Sequence, residues 1–209
     1  MDSDFWHSRW SEGRIGFHEG KPNAHLVKHL GVLKAAKRVL VPLCGKAEDL
    51  AFLASQGHEV VGLELVESAV KAFFDERGVT PEVSKHGPYA RYVAANVTVL
   101  AGDFFASTRE LLGAIDAVYD RAAVIALPAA MRGDYVKHLR TLLPPGAPGL
   151  IVTVEYPQDE MDGPPFSVPE AELRAHYAGL SIDRIDQVVA ELARLPSGSG
   201  SEKVFRVRF

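Results

Sequence analysis

A single cysteine, Cys44, stands in this 209-residue sequence. No internal disulfide can form, and a reducing cytoplasm is the expected home. No apolar run approaches the ~20 residues needed to span a bilayer. The opening stretch, MDSDFWHSRW, is polar and mixed in charge, unlike a secretory leader. Charge of one sign is scarce: 23 Lys and Arg against 27 Asp and Glu leave a net −4, no electrostatic case for nucleic acid or an anionic membrane as partner. Internal repeats and heptad arrays are absent. What remains is 47% hydrophobic and 24% charged, an ordinary globular balance with core enough for one domain.

The rest of the chain is organised around RVLVPLCGKAEDLAFLASQGHEVVGLE, residues 38–64. The run Val39-Leu40-Val41-Pro42-Leu43 is short and β-branched enough for a buried strand. Cys44-Gly45-Lys46 makes a small-residue turn. Ala47–Ser55 has the spacing of a compact amphipathic helix, ended by Gly57. Val60-Val61-Gly62-Leu63 then stops at an acid, Glu64. In a parallel α/β sheet the ligand lies beyond the carboxyl ends of the strands. A carboxylate at the second strand's tip can accept hydrogen bonds from both ribose hydroxyls, and Glu64 follows Gly45 by about twenty residues, the spacing of that role. The turn has one glycine, not the three with which a dinucleotide fingerprint receives a pyrophosphate. A phosphate-free nucleoside needs less, which favours S-adenosylmethionine over a nicotinamide cofactor. An ordinary βαβ unit with Glu64 solvated in a loop is the bland alternative.

Before this unit, residues 1–31 hold both tryptophans, Trp6 and Trp10, four apart on one helical face, with Phe5, Phe17 and His18 nearby. Two roles fit: a helix anchored to the core, or a lid whose aromatic faces meet a cationic ligand such as a sulfonium. His25 and His29 sit four apart on the helix expected over Asn23–Leu30. The pair lacks a third ligand, and Leu26 stands where HExxH needs its glutamate, so no metal is expected.

After Glu64 a second helix is expected over Glu67–Arg77, then irregular chain over residues 78–94 covering a sheet edge. Val97–Leu100 reads as a third strand, ending near Asp103, which could accept from an adenine amine beside Phe104 or cap the following helix. Ala117–Asp120 reads as a fourth strand running into Arg121, placed to hold an anionic group or to pair with a nearby carboxylate. A helix follows from Pro128 to about Leu143, then strand Leu150–Val154, a proline-rich loop at Gly163-Pro164-Pro165-Phe166, and a helix over Pro169–Tyr177. Strands are expected over Ser181–Val189 and Val204–Phe209, joined through a flexible Ser197–Ser201. Cys44 lacks the flanks of a nucleophile elbow and reads as a small residue packed at a tight turn. One domain is expected over residues 1–209, with 1–31 as lid or helical segment and 38–209 as the α/β core.

Taken together, the pieces resemble the thiopurine S-methyltransferase family, a branch of the class I S-adenosylmethionine-dependent methyltransferases. They are Trp6–Trp10 with Gly13 and Gly16-Phe17-His18, Pro42-Leu43-Cys44-Gly45-Lys46, Val60–Glu64, Gly102-Asp103-Phe104-Phe105, Asp120-Arg121-Ala122-Ala123 and Gly163–Val168, in family order over nearly the whole chain. The resemblance implies a Rossmann-like α/β fold: a seven-stranded, mostly parallel sheet with the last strand antiparallel and helices on both faces. It implies S-adenosylmethionine as cofactor, contacted by Trp10, Leu43, Glu64, Asp103, Phe104 and Arg121, to which the turn glycine Gly45 is added from the reading above. Phe17 and Arg121 would border a thiol substrate. The implied protein is a monomeric detoxifying enzyme for thiopurines and other small aromatic or heterocyclic thiols. Selenium or tellurium compounds are the alternative acceptors, and a non-catalytic cofactor-binding module is the alternative role. No catalytic base is assigned, because an aromatic thiol is already partly ionised near neutral pH. Departures from the family pattern are Ala51-Phe52-Leu53, Val66 and the stretch Pro196–Ser201, the last at the rim of the substrate pocket.

Overall fold

The computed structural model describes residues 3–14, 19–191, 195–196 and 198–209. In chain order the elements are α1 (Ser3–Ser11), α2 (Ala24–His29), β1 (Arg38–Pro42), α3 (Glu48–Ser55), β2 (Glu59–Glu64), α4 (Glu67–Asp75), β3 (Glu82–His86), β4 (Tyr89–Ala94), β5 (Val97–Ala101), α5 (Arg109–Leu112), β6 (Ala117–Asp120), α6 (Ala123–Ala126), α7 (Ala129–Leu142), β7 (Pro148–Glu155), α8 (Glu170–His176), β8 (Ser181–Glu191) and β9 (Ser199–Arg208).

All strands join one sheet in the order β3-β4-β5-β2-β1-β6-β7-β9-β8. The inner five, β5, β2, β1, β6 and β7, are parallel. Their apolar runs lack a polar face because both faces are covered. Side chains alternate across the sheet with the two-residue period of a strand. Val39 and Val41 of β1 join Val60, Val99, Tyr119 and Val152 in one buried cluster, with Leu50 and Leu53 of α3 and Val70, Phe73 and Phe74 of α4. Leu40, between those two valines, points the other way, into a cluster with Val61, Leu100, Val118 and Ile151 that α7 covers with Tyr135, Val136 and Leu139. α2, α3 and α4 therefore lie on one face, and α5 through α8 on the other.

The expected Rossmann-like α/β core is present, and two strands extend it. β9 runs antiparallel to both β7 and β8, as expected for the last strand. The expected count of seven becomes nine among the described residues: residues 82–94 are not irregular but form the hairpin β3–β4, which pairs antiparallel onto β5. Its strands are half-exposed and flanked by Pro81 and Gly87-Pro88, so they show neither a buried run nor a clean alternation. β9 also begins earlier than expected, at Ser199, so Ser199-Gly200-Ser201 pair with Glu191, Ala190 and Val189 instead of forming a loose connection.

The chain leaves β1 for β2 and β5 on one side, then returns to β6 on the other. That reversal puts the topological switch point between β1 and β6, and an open α/β sheet takes its ligand in the crevice beyond the carboxyl ends of the strands there.

Candidate active site

The turn after β1 carries the first wall of this crevice. Leu43 holds φ 48 and Gly45 φ 53, two left-handed residues in one tight bend. For leucine that conformation costs on the order of 1–3 kcal/mol, the kind of strain that persists where surrounding bonds over-determine the backbone. They do here: the Cys44 N–H donates to the Leu63 carbonyl at 3.0 Å, and the Ala47 N–H to the Cys44 carbonyl at 3.1 Å. A side chain on residue 45 would also meet Trp10, whose ring carbon lies 3.2 Å from the position a Cβ would take. α1 thus reaches across the first turn through Trp10. Cys44 points inward and packs on Gly62, where a Cβ would come within 2.8 Å of its Sγ. Burial, with the charge of Glu64, pushes this thiol well above its ordinary pKa, so it is no nucleophile.

Glu64 closes the crevice from β2 and is 7% exposed. Its Oε2 accepts the Gly45 N–H at 2.7 Å and its Oε1 the Val66 N–H at 2.8 Å. Desolvation raises its pKa, opposed by the hydrogen bonds from Val66, Gly45 and Leu65. These backbone donors fix the carboxylate in orientation and leave it acceptor capacity toward the end of the strand. Val66, the departure noted above, is buried and gives the site only its backbone N–H.

Beyond β5, Asp103 is exposed, and its Oδ1 caps the turn Phe104–Ala106 by accepting the Phe105 N–H at 3.0 Å. The capping role read as one alternative is therefore real, and it engages one of the two carboxylate oxygens. Tyr89 of the unforeseen hairpin holds the Asp103 carbonyl through its hydroxyl at 2.9 Å. Phe104 is 4% exposed and packs on Tyr135 and His138, at centroid distances of 5.0 and 5.1 Å. Phe105, half-buried beside it, packs edge-on against the same ring at 5.5 Å.

At the end of β6 two neighbouring residues part company. Asp120 turns into the core, where its Oδ2 accepts the Tyr135 hydroxyl at 2.7 Å and its Oδ1 the N–H groups of Ala123 and Val124 at 3.1 and 3.3 Å. Burial pushes its pKa up to about 6 against those three donors. Arg121 turns the other way and pairs with Glu19 from the segment between α1 and α2. Glu19 also accepts from the Asn23 amide at 3.3 Å, and the Asn23 N–H reaches Asp49 at 2.7 Å, tying that segment to the start of α3. Sequence reasoning missed Glu19, Tyr89 and Asp49, because each acts through a partner distant in the chain. Phe17 lies outside the described residues. Trp10, Leu43, Gly45 and Glu64 are brought together, with Asp103 and Arg121 on the neighbouring strands' ends.

Comparison with known proteins turns this geometry into a family. The model of the family described as thiopurine S-methyltransferase matches residues 1–204. The chain belongs to the thiopurine S-methyltransferase family. A thiopurine S-methyltransferase of Pseudomonas aeruginosa (strain UCBPP-PA14) is 52% identical over 181 residues, covering 86% of this chain and 83% of that one. The thiopurine S-methyltransferase of Pseudomonas fluorescens (strain ATCC BAA-477) is 44% identical over 213 residues, covering 99% and 96%. The family's members are S-adenosylmethionine-dependent methyltransferases, and S-adenosylmethionine is the cofactor of this chain too. In fold, the chain resembles the 1,6-didemethyltoxoflavin-N1-methyltransferase of Burkholderia thailandensis, solved with S-adenosylhomocysteine bound, at TM-score 0.63 and 20% identity over 99% of this chain and 86% of that one. A methyltransferase from Anabaena variabilis gives TM-score 0.67 at 14% identity, covering 100% and 95%. The donor set fits the family's cofactor: an oriented carboxylate for a diol, a turn without a Cβ, and an indole beside it.

Proposed function

We propose that this methyltransferase acts on thiopurines and other small aromatic or heterocyclic thiols, by direct in-line attack of the thiol sulfur on the methyl group. The reading rests on Arg121, a guanidinium only 19% exposed at the end of a central strand, held in place by a carboxylate that an anionic substrate can displace. When bound, S-adenosylmethionine supplies a methyl group already activated by its sulfonium.

The protein's work is alignment and exclusion of water. Glu64, oriented by the Gly45 and Val66 amides, receives the ribose diol. The second carboxylate oxygen of Asp103 takes the adenine amine, and Leu43, Gly45, Trp10 and Phe104 line the cofactor beside it. Arg121 favours the ionised form of the thiol and holds it near the crevice. Its guanidinium is partly desolvated, which lowers its own pKa yet leaves it charged at neutral pH and strengthens its pull on an anion. No side chain is needed to take a proton from a thiol that is already ionised.

The test is to incubate the chain with S-adenosylmethionine and 6-mercaptopurine and to look for the S-methylated purine by mass spectrometry. Methyl transfer that weakens strongly in Arg121→Ala and is partly restored in Arg121→Lys supports the reading. Cofactor binding without transfer to any aromatic thiol overturns it. Transfer to a reduced selenium or tellurium compound would then name the acceptor class, and no transfer at all would leave a cofactor-binding module.

A further inference from the structure

The two histidines that lack a third ligand in the sequence acquire one in the fold. His25 and His29 lie on α2, and Asp186 reaches them from β8. The Asp186 Oδ2 lies 2.8 Å from His29 Nε2 and 3.9 Å from His25 Nδ1, and one donor atom from each of the three lies within 4.8 Å of the others. Nitrogen and oxygen donors around a tetrahedral ion at ~2.0–2.1 Å stand roughly 3.3 Å apart, so the three need only small side-chain adjustments to share one. We propose that His25, His29 and Asp186 bind a divalent transition-metal ion of the zinc class, with a fourth position open.

The surroundings are those a metal site needs. The His25 Nε2 lies 2.9 Å from the Glu202 Oε2, which fixes the ring and leaves Nδ1 as the nitrogen that faces the site. A carboxylate behind a ligating histidine is the usual outer support of such an ion. The Gln187 N–H donates to Asp186 Oδ1 at 3.0 Å, which turns Oδ2 toward the imidazoles. The register of β8 against β9 shifts between Arg184 and Asp186, and such bulges re-aim the side chain beside them. The three side chains are 8%, 15% and 14% exposed, well below what a solvated surface cluster would show. Two imidazoles with one carboxylate suit zinc, nickel or copper better than calcium or magnesium.

One more cation is present. Lys28 Nζ lies 2.6 Å from the same Asp186 Oδ2, on a side chain 61% exposed. In its absence the Asp186 Oδ2 is left to face the two histidines; with a metal bound, the flexible lysine swings to solvent. The competing account is that Lys28, His25, His29 and Asp186 form a hydrogen-bonded ion cluster and nothing more. Lys28 separates the two, because removing it helps a metal site and merely loosens an ion cluster.

The experiment titrates the full chain, tag removed and metal stripped by a chelator, with zinc chloride in competition with a chromophoric zinc indicator. One zinc per chain is expected. Affinity should fall at least tenfold in Asp186→Asn and in His29→Gln, and rise severalfold in Lys28→Gln. Zinc should raise the melting temperature of the unsubstituted chain and not that of Asp186→Asn, and circular dichroism checks that each variant is folded. Equal zinc affinity in the unsubstituted chain, Asp186→Asn and His29→Gln would overturn the proposal. So would no saturable binding in both the unsubstituted chain and Lys28→Gln, the latter an exposed substitution that leaves the fold undisturbed.

Discussion

Replacing Asp120 by asparagine should flatten the pH dependence of stability. Asp120 is fully buried, and its neighbours can accept the change: Oδ1 keeps the Ala123 and Val124 N–H groups, and the new amide can donate to the Tyr135 oxygen that formerly donated to Oδ2. The carboxyl titrates near 3.8 when the chain is unfolded and at about 6 in the fold, because burial disfavours its charge. A folded pKa above the unfolded one means that the fold binds the proton more tightly. Its stabilising effect is full below pH 3.8 and is lost as pH rises through 6. A gap of about two units, at about 1.4 kcal/mol a unit, is roughly 3 kcal/mol in total, most of which falls between pH 4 and 7. Asparagine has no such proton. Urea unfolding of both chains at a series of pH values measures it, and the difference in unfolding free energy between them cancels every other titrating group. The unsubstituted chain should lose roughly 2 kcal/mol relative to Asp120→Asn across that window. A difference that stays flat, or grows in favour of the unsubstituted chain, would mean that the three donors outweigh burial.

The site makes further commitments. Glu64→Ala removes the ribose acceptor and orphans the Gly45 and Val66 amides; at about 1.5–3 kcal/mol for a hydrogen bond to a charged group, calorimetry should find S-adenosylmethionine bound at least about tenfold more weakly. An unchanged dissociation constant would remove Glu64 from the cofactor site. Glu19→Gln frees Arg121 from its resident carboxylate, so KM for an ionised aromatic thiol should fall about two- to fivefold, in line with about 0.5–1 kcal/mol for a partly exposed pair. A KM that does not move would put the substrate elsewhere. Gly62→Ala drives a methyl to within 2.8 Å of the Cys44 sulfur and should destabilise the fold by about 1–3 kcal/mol. In a Cys44→Ala background most of that loss should vanish, and additive losses would show that the contact is not the cause.

What the sequence makes legible follows from how local each cause is. The β1-α3-β2 unit can be read directly, because an apolar run, a glycine and a terminal acid each act within their own few residues. The hairpin β3–β4 cannot, because its strands are half-exposed and are held by pairing with β5, a long-range bond that leaves no periodic trace. Phe104 is legible as an aromatic beside an acid, yet which way its ring turns depends on Tyr135 and His138 from α7. The third donor beside His25 and His29 is hidden for the same reason: Asp186 is 157 residues from His29 in the chain, and a bulge between the two strands decides where it points.

The parting of Asp120 and Arg121 has an evolutionary consequence. Two adjacent letters answer to different demands: one keeps a helix start and a core tyrosine satisfied, the other, in the proposed function, meets the acceptor. A descendant that abandoned methyl transfer would be free to let Arg121 drift while Asp120 stayed, and one that took up a new acceptor would change Arg121 first. Under the proposed function a working enzyme of this kind keeps both, whereas the aspartate alone marks only inherited architecture.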